Sequence, residues 1–170
     1  MGSRRPVWVL FDEVDQRSPA PYFRLASVMG RPVTRNDYRG LDNLVLFFGH
    51  AVDCPGCQNV LREFTAHLRE YNQNEAVTLA IFPDLFVREN GLAVFQETPF
   101  PVLSDPGGEV RKRYTALMAH NLVSDQDNLI FVLDQYGGPY AALIGEELDE
   151  PDLQKEVLEW LEYISLKCPE

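Results

Sequence analysis

Residues 44–57 read LVLFFGHAVDCPGC, and the rest of the chain is arranged around them. Leu44–Phe48 is an unbroken apolar run with the length of a buried central strand. It breaks at Gly49, crosses a short loop and reaches two cysteines, Cys54 and Cys57, separated only by Pro55 and Gly56. Val60, Phe64, Leu68 and Tyr71 then recur at helical spacing, which predicts a helix from the dithiol to about Tyr71. Pro55 suits the first turn of that helix, where its missing N–H costs nothing. Free N–H groups and the positive end of the helix dipole would face both sulfurs and favour thiolate over thiol.

The composition sets bounds on what such a dithiol could serve. With 170 residues, 45% hydrophobic and 24% charged, the chain has the balance of one ordinary globular domain. Its formal net charge of -11 argues against nucleic acid or an anionic membrane surface as a partner. No apolar run approaches the roughly 20 residues of a bilayer span. Arg4 and Arg5 precede the apolar run Val7–Phe11, but that run is shorter than the ~7–15 residues of a secretory core, and Asp12 and Glu13 end it. A cytoplasmic protein is expected, where cysteines are normally kept reduced. In such a compartment a CxxC pair reads as catalytic or metal-binding rather than as a structural staple, and its place between a strand and a helix is a thioredoxin-type arrangement.

The remaining chain alternates strands and helices. Val7–Phe11 reads as a first strand and Asp12–Ala20 as a charged loop. Tyr22–Leu25 and Pro32–Thr34 flank Gly30 as a hairpin, and Asn36–Gly40 turns into the central strand. Ala76–Phe82 is a second buried strand, Leu85–Gln96 has helical spacing, and Phe100–Leu103 is extended. Glu109–Met118 is a short helix, Leu129–Leu133 and Tyr140–Ile144 are strands around Gly137 and Gly138, and an amphipathic helix begins at Pro151. The expectation is one α/β domain over residues 1–170, with 1–19 as an N-terminal extension and 20–166 as the core with its C-terminal helix.

Several segments resemble the peroxiredoxins and their AhpC/TSA relatives. Ala20-Pro21-Tyr22-Phe23-Arg24-Leu25, Gly30, Val33, Asp37-Tyr38-Arg39-Gly40 and Val45-Leu46-Phe47-Phe48 are similar to that family's entry segment. Phe100–Pro106 with Gly108-Glu109-Val110 and Tyr114 resembles its second signature, and Ile130–Asp134 with Gly137 its third. The likeness runs in order from about Ala20 to Ile144. It implies a thioredoxin fold, a central mixed β-sheet flanked by helices, with a peroxiredoxin-type N-terminal extension.

The resemblance also implies a site, with substitutions. In the family's Pro-x-x-x-Thr-x-x-Cys segment the last residue attacks peroxide; that residue is Cys57 here, but His50 stands at the proline and Cys54 at the threonine. The peroxide-activating arginine is matched by Asp127. On the thioredoxin template, Cys54 is the nucleophile and Cys57 the resolving thiol, with Asp53 in place of the tryptophan and Asn128 in place of the cis-proline.

Four functions compete. In thiol–disulfide exchange, which ranks first, Cys54 attacks a substrate disulfide, Cys57 resolves, and a cellular thiol reductant reopens the bridge. Asp53 opposes this by raising a neighbouring thiol pKa, whereas Pro55 and the helix start assist it. In peroxide reduction Cys57 attacks and Cys54 resolves, but Asp127 supplies no donor for the developing charge, which leaves only His50 if protonated. A non-catalytic redoxin-fold interaction module ranks third. Metal binding through His50, Cys54 and Cys57, with Cys168 as a fourth donor, ranks last, because structural zinc sites usually show two separated ligand pairs. No metal or other cofactor is expected. His67, His120 and Cys168 read as bystanders, and Trp160 with Tyr163 as a homodimer contact.

Overall fold

A computed structural model of the protein describes residues 5–28, 30–51, 53–85, 95, 97–119 and 121–167. Eight strands form one mixed sheet: β1 (Val7–Leu10), β2 (Arg24–Ser27), β3 (Gly30–Thr34), β4 (Asn43–Phe48), β5 (Ala76–Pro83), β6 (Val102–Asp105), β7 (Asn128–Leu133) and β8 (Pro139–Gly145). Their order across the sheet is β1-β8-β7-β4-β5-β6-β2-β3. The run Leu44–Phe48 is the central strand: β4 pairs in parallel with β5 and antiparallel with β7.

Both faces of β4 are covered, which is why its sequence shows no polar alternation. Val45 and Phe47 point to one face, where α2 (Pro55–Ala66), α3 (Leu68–Gln73) and α5 (Pro151–Lys167) contribute Val60, Phe64, Tyr71, Val157 and Leu161. Leu44, Leu46 and Phe48 point to the other, under Val110 and Tyr114 of α4 (Glu109–Thr115). The C-terminal helix buries Leu153, Val157, Leu161 and Ile164, the stripe its periodicity marked. Among the described residues, no helix is long and apolar enough to cross a membrane.

Two expected elements differ. Residues Asp12–Ala20, read as a loop, contain α1 (Glu13–Arg17). Asp12 accepts the Asp15 N–H while Asp15 accepts the Asp12 N–H, a reciprocal cap that holds a helix with no buried residue. The helix expected to run to Tyr71 breaks at His67, whose φ of -107° and ψ of 14° leave the helical region. Its backbone N–H still bonds the Glu63 carbonyl, and Tyr71 still reaches the core on α3, donating to Gln154 Oε1 at 2.6 Å. The helix expected at Leu85–Gln96 lies, apart from Leu85 and Phe95, outside the described residues.

Register positions the dithiol's surroundings. Phe48 pairs with Leu129, so Asn128 falls just beyond the end of β4, beside Gly49 and His50. Gly49 is required by packing: a Cβ there would overlap the Phe82 ring. Gly49→Ala is expected to cost about 1–3 kcal/mol of stability as an overpacked core position. Chemical denaturation would measure this, and an unchanged midpoint would show that the Phe82 ring yields freely.

Candidate active site

Cys54 is the N-cap of α2, with Pro55 at the first helical position. Its Sγ accepts the Cys57 N–H at 3.4 Å, the bond that a serine or aspartate oxygen makes at other helix starts. Cys54 is half-buried, whereas Cys57, one turn into the helix, is fully buried. Both thiols are free.

Three donors converge on one oxygen beside them. Asn128 Oδ1 accepts the His50 backbone N–H at 2.8 Å, lies 2.9 Å from His50 Nδ1, and accepts the Cys57 thiol at 3.3 Å. The amide is turned this way because its Nδ2 donates to the Glu146 carbonyl at 3.1 Å. Since Oδ1 only accepts, the short contact places a proton on His50 Nδ1. The same nitrogen lies 3.7 Å from Cys57 Sγ, so the ring can turn its proton to the sulfur once Cys57 ionises. A carbonyl oxygen has two lone pairs, so a third donor is held loosely.

The Cys57 thiol is pushed up to about 12 from an ordinary 9.0, by burial first, then by its hydrogen bond to Cys54 and the charge there. Backbone hydrogen bonds from Ala51 and His50 act the other way. The expectation that the helix start favours thiolate at both sulfurs therefore fails at Cys57: desolvation outweighs the dipole. Asp53 is exposed and does not figure among the causes acting on Cys57.

The sequence-matched positions come together. His50, Cys54, Cys57 and Asn128 form one cluster, Pro55 starts its helix, and Asp127 sits fully buried immediately before β7. Asp127 Oδ2 accepts the Ser124 N–H at 2.8 Å. Its carbonyl oxygen holds a residue that the sequence reading passed over. Arg111 on α4 donates through Nη2 to Asp127 O at 2.7 Å and to Ser124 O at 3.1 Å. Its Nη1 is buried with no hydrogen-bond partner among the described residues. Burial lowers the Arg111 pKa, while Asp127, Asp125, Cys57 and Asp105 pull it back up, which places the guanidinium in the electrostatic reach of the thiol. The Asp105 carboxylate fixes the start of α4 by accepting the Val110 and Arg111 N–H groups. A signal was available: Val110 and Tyr114 mark the buried stripe of α4, and Arg111 borders it.

A cavity of about 630 Å³ opens here, lined by His50, Pro83, Arg111, Met118, Val123 and Ser124 among others. That volume suits a small organic molecule. The donor atoms of His50, Cys54 and Cys57 lie within 4.8 Å of one another and are the set that could hold a soft metal ion. His120 and Cys168 lie outside the described residues.

The fold and the cysteine pair at a helix start define a thioredoxin-like protein. The fold is shared with a crystal structure of peroxidoxin BcpB from Mycobacterium tuberculosis (TM-score 0.69, 22% identity, 86% of this chain and 96% of that one). It is also shared with the thioredoxin domain of a thiol-disulfide oxidoreductase from Bacteroides vulgatus (TM-score 0.62, 17% identity, 85% and 96%). Within that class the chain belongs to the AhpC/TSA family, whose model matches residues 17–138. The chloroplastic peroxiredoxin Q of Sedum lineare is 30% identical over 105 residues, which cover 62% of this chain. The matched stretch spans 56% of that relative's length.

The Cys57 shift carries a sign. In the unfolded chain this thiol ionises near 9.0, in the fold near 12. The stability it contributes is complete below the lower value and is lost as pH rises through the higher one. Between about pH 8 and about pH 11, the reduced protein should lose stability more steeply than a Cys57→Ala variant in urea denaturation. Tyr71 and Tyr114, also shifted up by burial, are common to both proteins and cancel. Parallel profiles would refute the assignment.

Proposed function

We propose that this protein exchanges disulfides through the Cys54/Cys57 dithiol, with Cys54 as the attacking sulfur. One observation carries the reading: Cys54 is half-exposed at the helix start and accepts the Cys57 N–H, while Cys57 is fully buried and holds its proton. The Cys54 thiolate attacks one sulfur of a substrate disulfide, forming a mixed disulfide and expelling the other sulfur as a thiolate. Cys57 gives up its proton to solvent, the thiolate is met by the N–H of His50 Nδ1 at 3.7 Å, and it attacks the Cys54 sulfur. The Cys54–Cys57 bridge forms as the second substrate thiol leaves, and a cellular thiol reductant restores the dithiol. A reducing compartment such as the cytoplasm suits this cycle.

Peroxide reduction is the second reading, and Arg111 favours it. The oxidant's terminal oxygen would pass to Cys57 as a sulfenic acid while the leaving oxygen departs as water or an alcohol. Cys54 would then displace water to give the same bridge. Negative charge develops on the leaving oxygen, and the Arg111 Nη1 is a buried N–H with no partner among the described residues. It offers the donor that Asp127 does not, and such a donor is worth about 3–4 kcal/mol to a transition state.

The test records thiol loss from the reduced protein with a small aromatic disulfide and, separately, with hydrogen peroxide. Faster loss to the disulfide is expected, with Cys57→Ser accumulating a mixed disulfide on Cys54 that mass spectrometry detects. If the adduct forms on Cys57 in the wild type, or neither oxidant reacts faster than a free thiol, the assignment fails.

Arg111→Gln separates the readings further. If peroxide uses this site, the variant should lose about a hundredfold in peroxide rate relative to its disulfide rate. An equal effect on both rates would show that Arg111 acts only through the fold.

A further inference from the structure

A second cavity, of about 380 Å³, lies between β1 and α5 and shares no residue with the dithiol site. It is lined by Trp8, Trp160, Tyr163, Glu156 and Glu159. The Trp8 and Trp160 rings are 6.1 Å apart between centroids and tilted by 47°, and Trp160 meets Tyr163 at 5.5 Å and 87°. Trp8 Nε1 donates to Glu156 Oε1 at 3.3 Å, which fixes the indole and keeps a carboxylate at the rim. Tyr140 backs Tyr163 edge-on at 6.5 Å. Aromatic faces set at angles to one another and rimmed by carboxylates attract a cation through the ring quadrupoles and through charge. The chain itself provides an instance, for Lys167 Nζ sits 4.9 Å from the centroid of Tyr163.

We propose that this groove binds a small organic cation of the alkylated-ammonium class, its head group against Trp8, Trp160 and Tyr163 and its charge balanced by Glu156 and Glu159. The lining selects among cations. A compact, strongly hydrated ion needs several acceptors to replace its water, and here Glu156 already serves the Trp8 N–H. An alkylated head group gives up little hydration and presents apolar methyls to the rings. The chain's net charge of -11 favours the approach of any cation.

The chain's two tryptophans both line the groove, so its intrinsic tryptophan emission reports this site alone. The full-length reduced protein is titrated with choline and, in parallel, with 3,3-dimethylbutan-1-ol, its uncharged counterpart. A saturable change with choline and none with the alcohol is expected. Glu159→Gln, an exposed position, should weaken choline by about threefold to tenfold without altering the unliganded spectrum. Trp160→Leu should abolish the response. Equal responses to choline and the alcohol would overturn the proposal by making the groove merely apolar. A stronger response to an arginine-containing tripeptide would overturn it in favour of a peptide side chain. Emission that shifts with protein concentration, together with a change in sedimentation, would overturn it in favour of a second copy of the chain. Disulfide exchange is read separately, so loss of either activity leaves the other interpretable.

Discussion

The antiparallel pairing of β4 with β7 is the constraint on which the site depends. Side chains alternate between the two faces, so the register that pairs Phe48 with Leu129 puts Asn128, Ile130 and Val132 on the face covered by α2. Leu129, Phe131 and Leu133 then point to the face covered by α4. A slip of one residue would turn the Asn128 amide away from Cys57 and drive Leu129 towards it. Apolar burial on both faces forbids that slip, because it would exchange two differently shaped sets of core side chains. The hydrophobic core thereby fixes a polar contact between residues 71 positions apart, at 3.3 Å.

The same end of the sheet is where its two layers meet. Cys54, Cys57 and His50 come from the segment that enters α2, while Arg111 comes from α4 on the opposite face and reaches round to the carbonyls of Ser124 and Asp127. A guanidinium so placed satisfies two carbonyls and keeps one buried nitrogen, Nη1, without a partner among the described residues. An unmet buried donor costs about 1–3 kcal/mol, a cost tolerated where a ligand can use it. Asp127 thus contributes a backbone oxygen that holds the cation in place, and its presence at the arginine-matched position does not leave the site without positive charge.

The parts legible in the sequence were those written in local periodicity. The apolar run Leu44–Phe48 announced a strand covered on both faces, Pro55 the start of α2, and the Leu153–Ile164 stripe the packing of α5. What escaped depends on bonds between residues with no periodic signature. The reciprocal carboxylate cap of Asp12 and Asp15 makes a helix out of a stretch with no apolar face. The break at His67 leaves the Val60–Tyr71 stripe intact, so hydrophobic spacing carries no trace of it. Asn128 was found through register with a known fold, but its role as the acceptor for His50 and Cys57 required the third dimension. Arg111 left no such trace, because the family pattern points to a cation just before β7, whereas the fold supplies one from α4.

The electrostatics of the pair explain how two thiols in one turn can act in sequence. A helix start contributes about 0.3–1 kcal/mol in favour of a thiolate. The rise at Cys57, caused first by burial, runs against it, so burial decides its state. Two of the causes that raise it, the hydrogen bond to Cys54 and the charge there, require the Cys54 sulfur to be free. Once that sulfur enters a mixed disulfide it carries no charge, both causes vanish, and the Cys57 proton becomes easier to remove. The backbone groups of Ala51 and His50, which stabilise the anion, are unaffected by that change, and His50 Nδ1 is already 3.7 Å away. On the exchange mechanism proposed above, the first step therefore prepares the second. Cys57 stays protonated and inert until its neighbour has been consumed, and the order of attack follows from burial rather than from any difference in the thiols themselves.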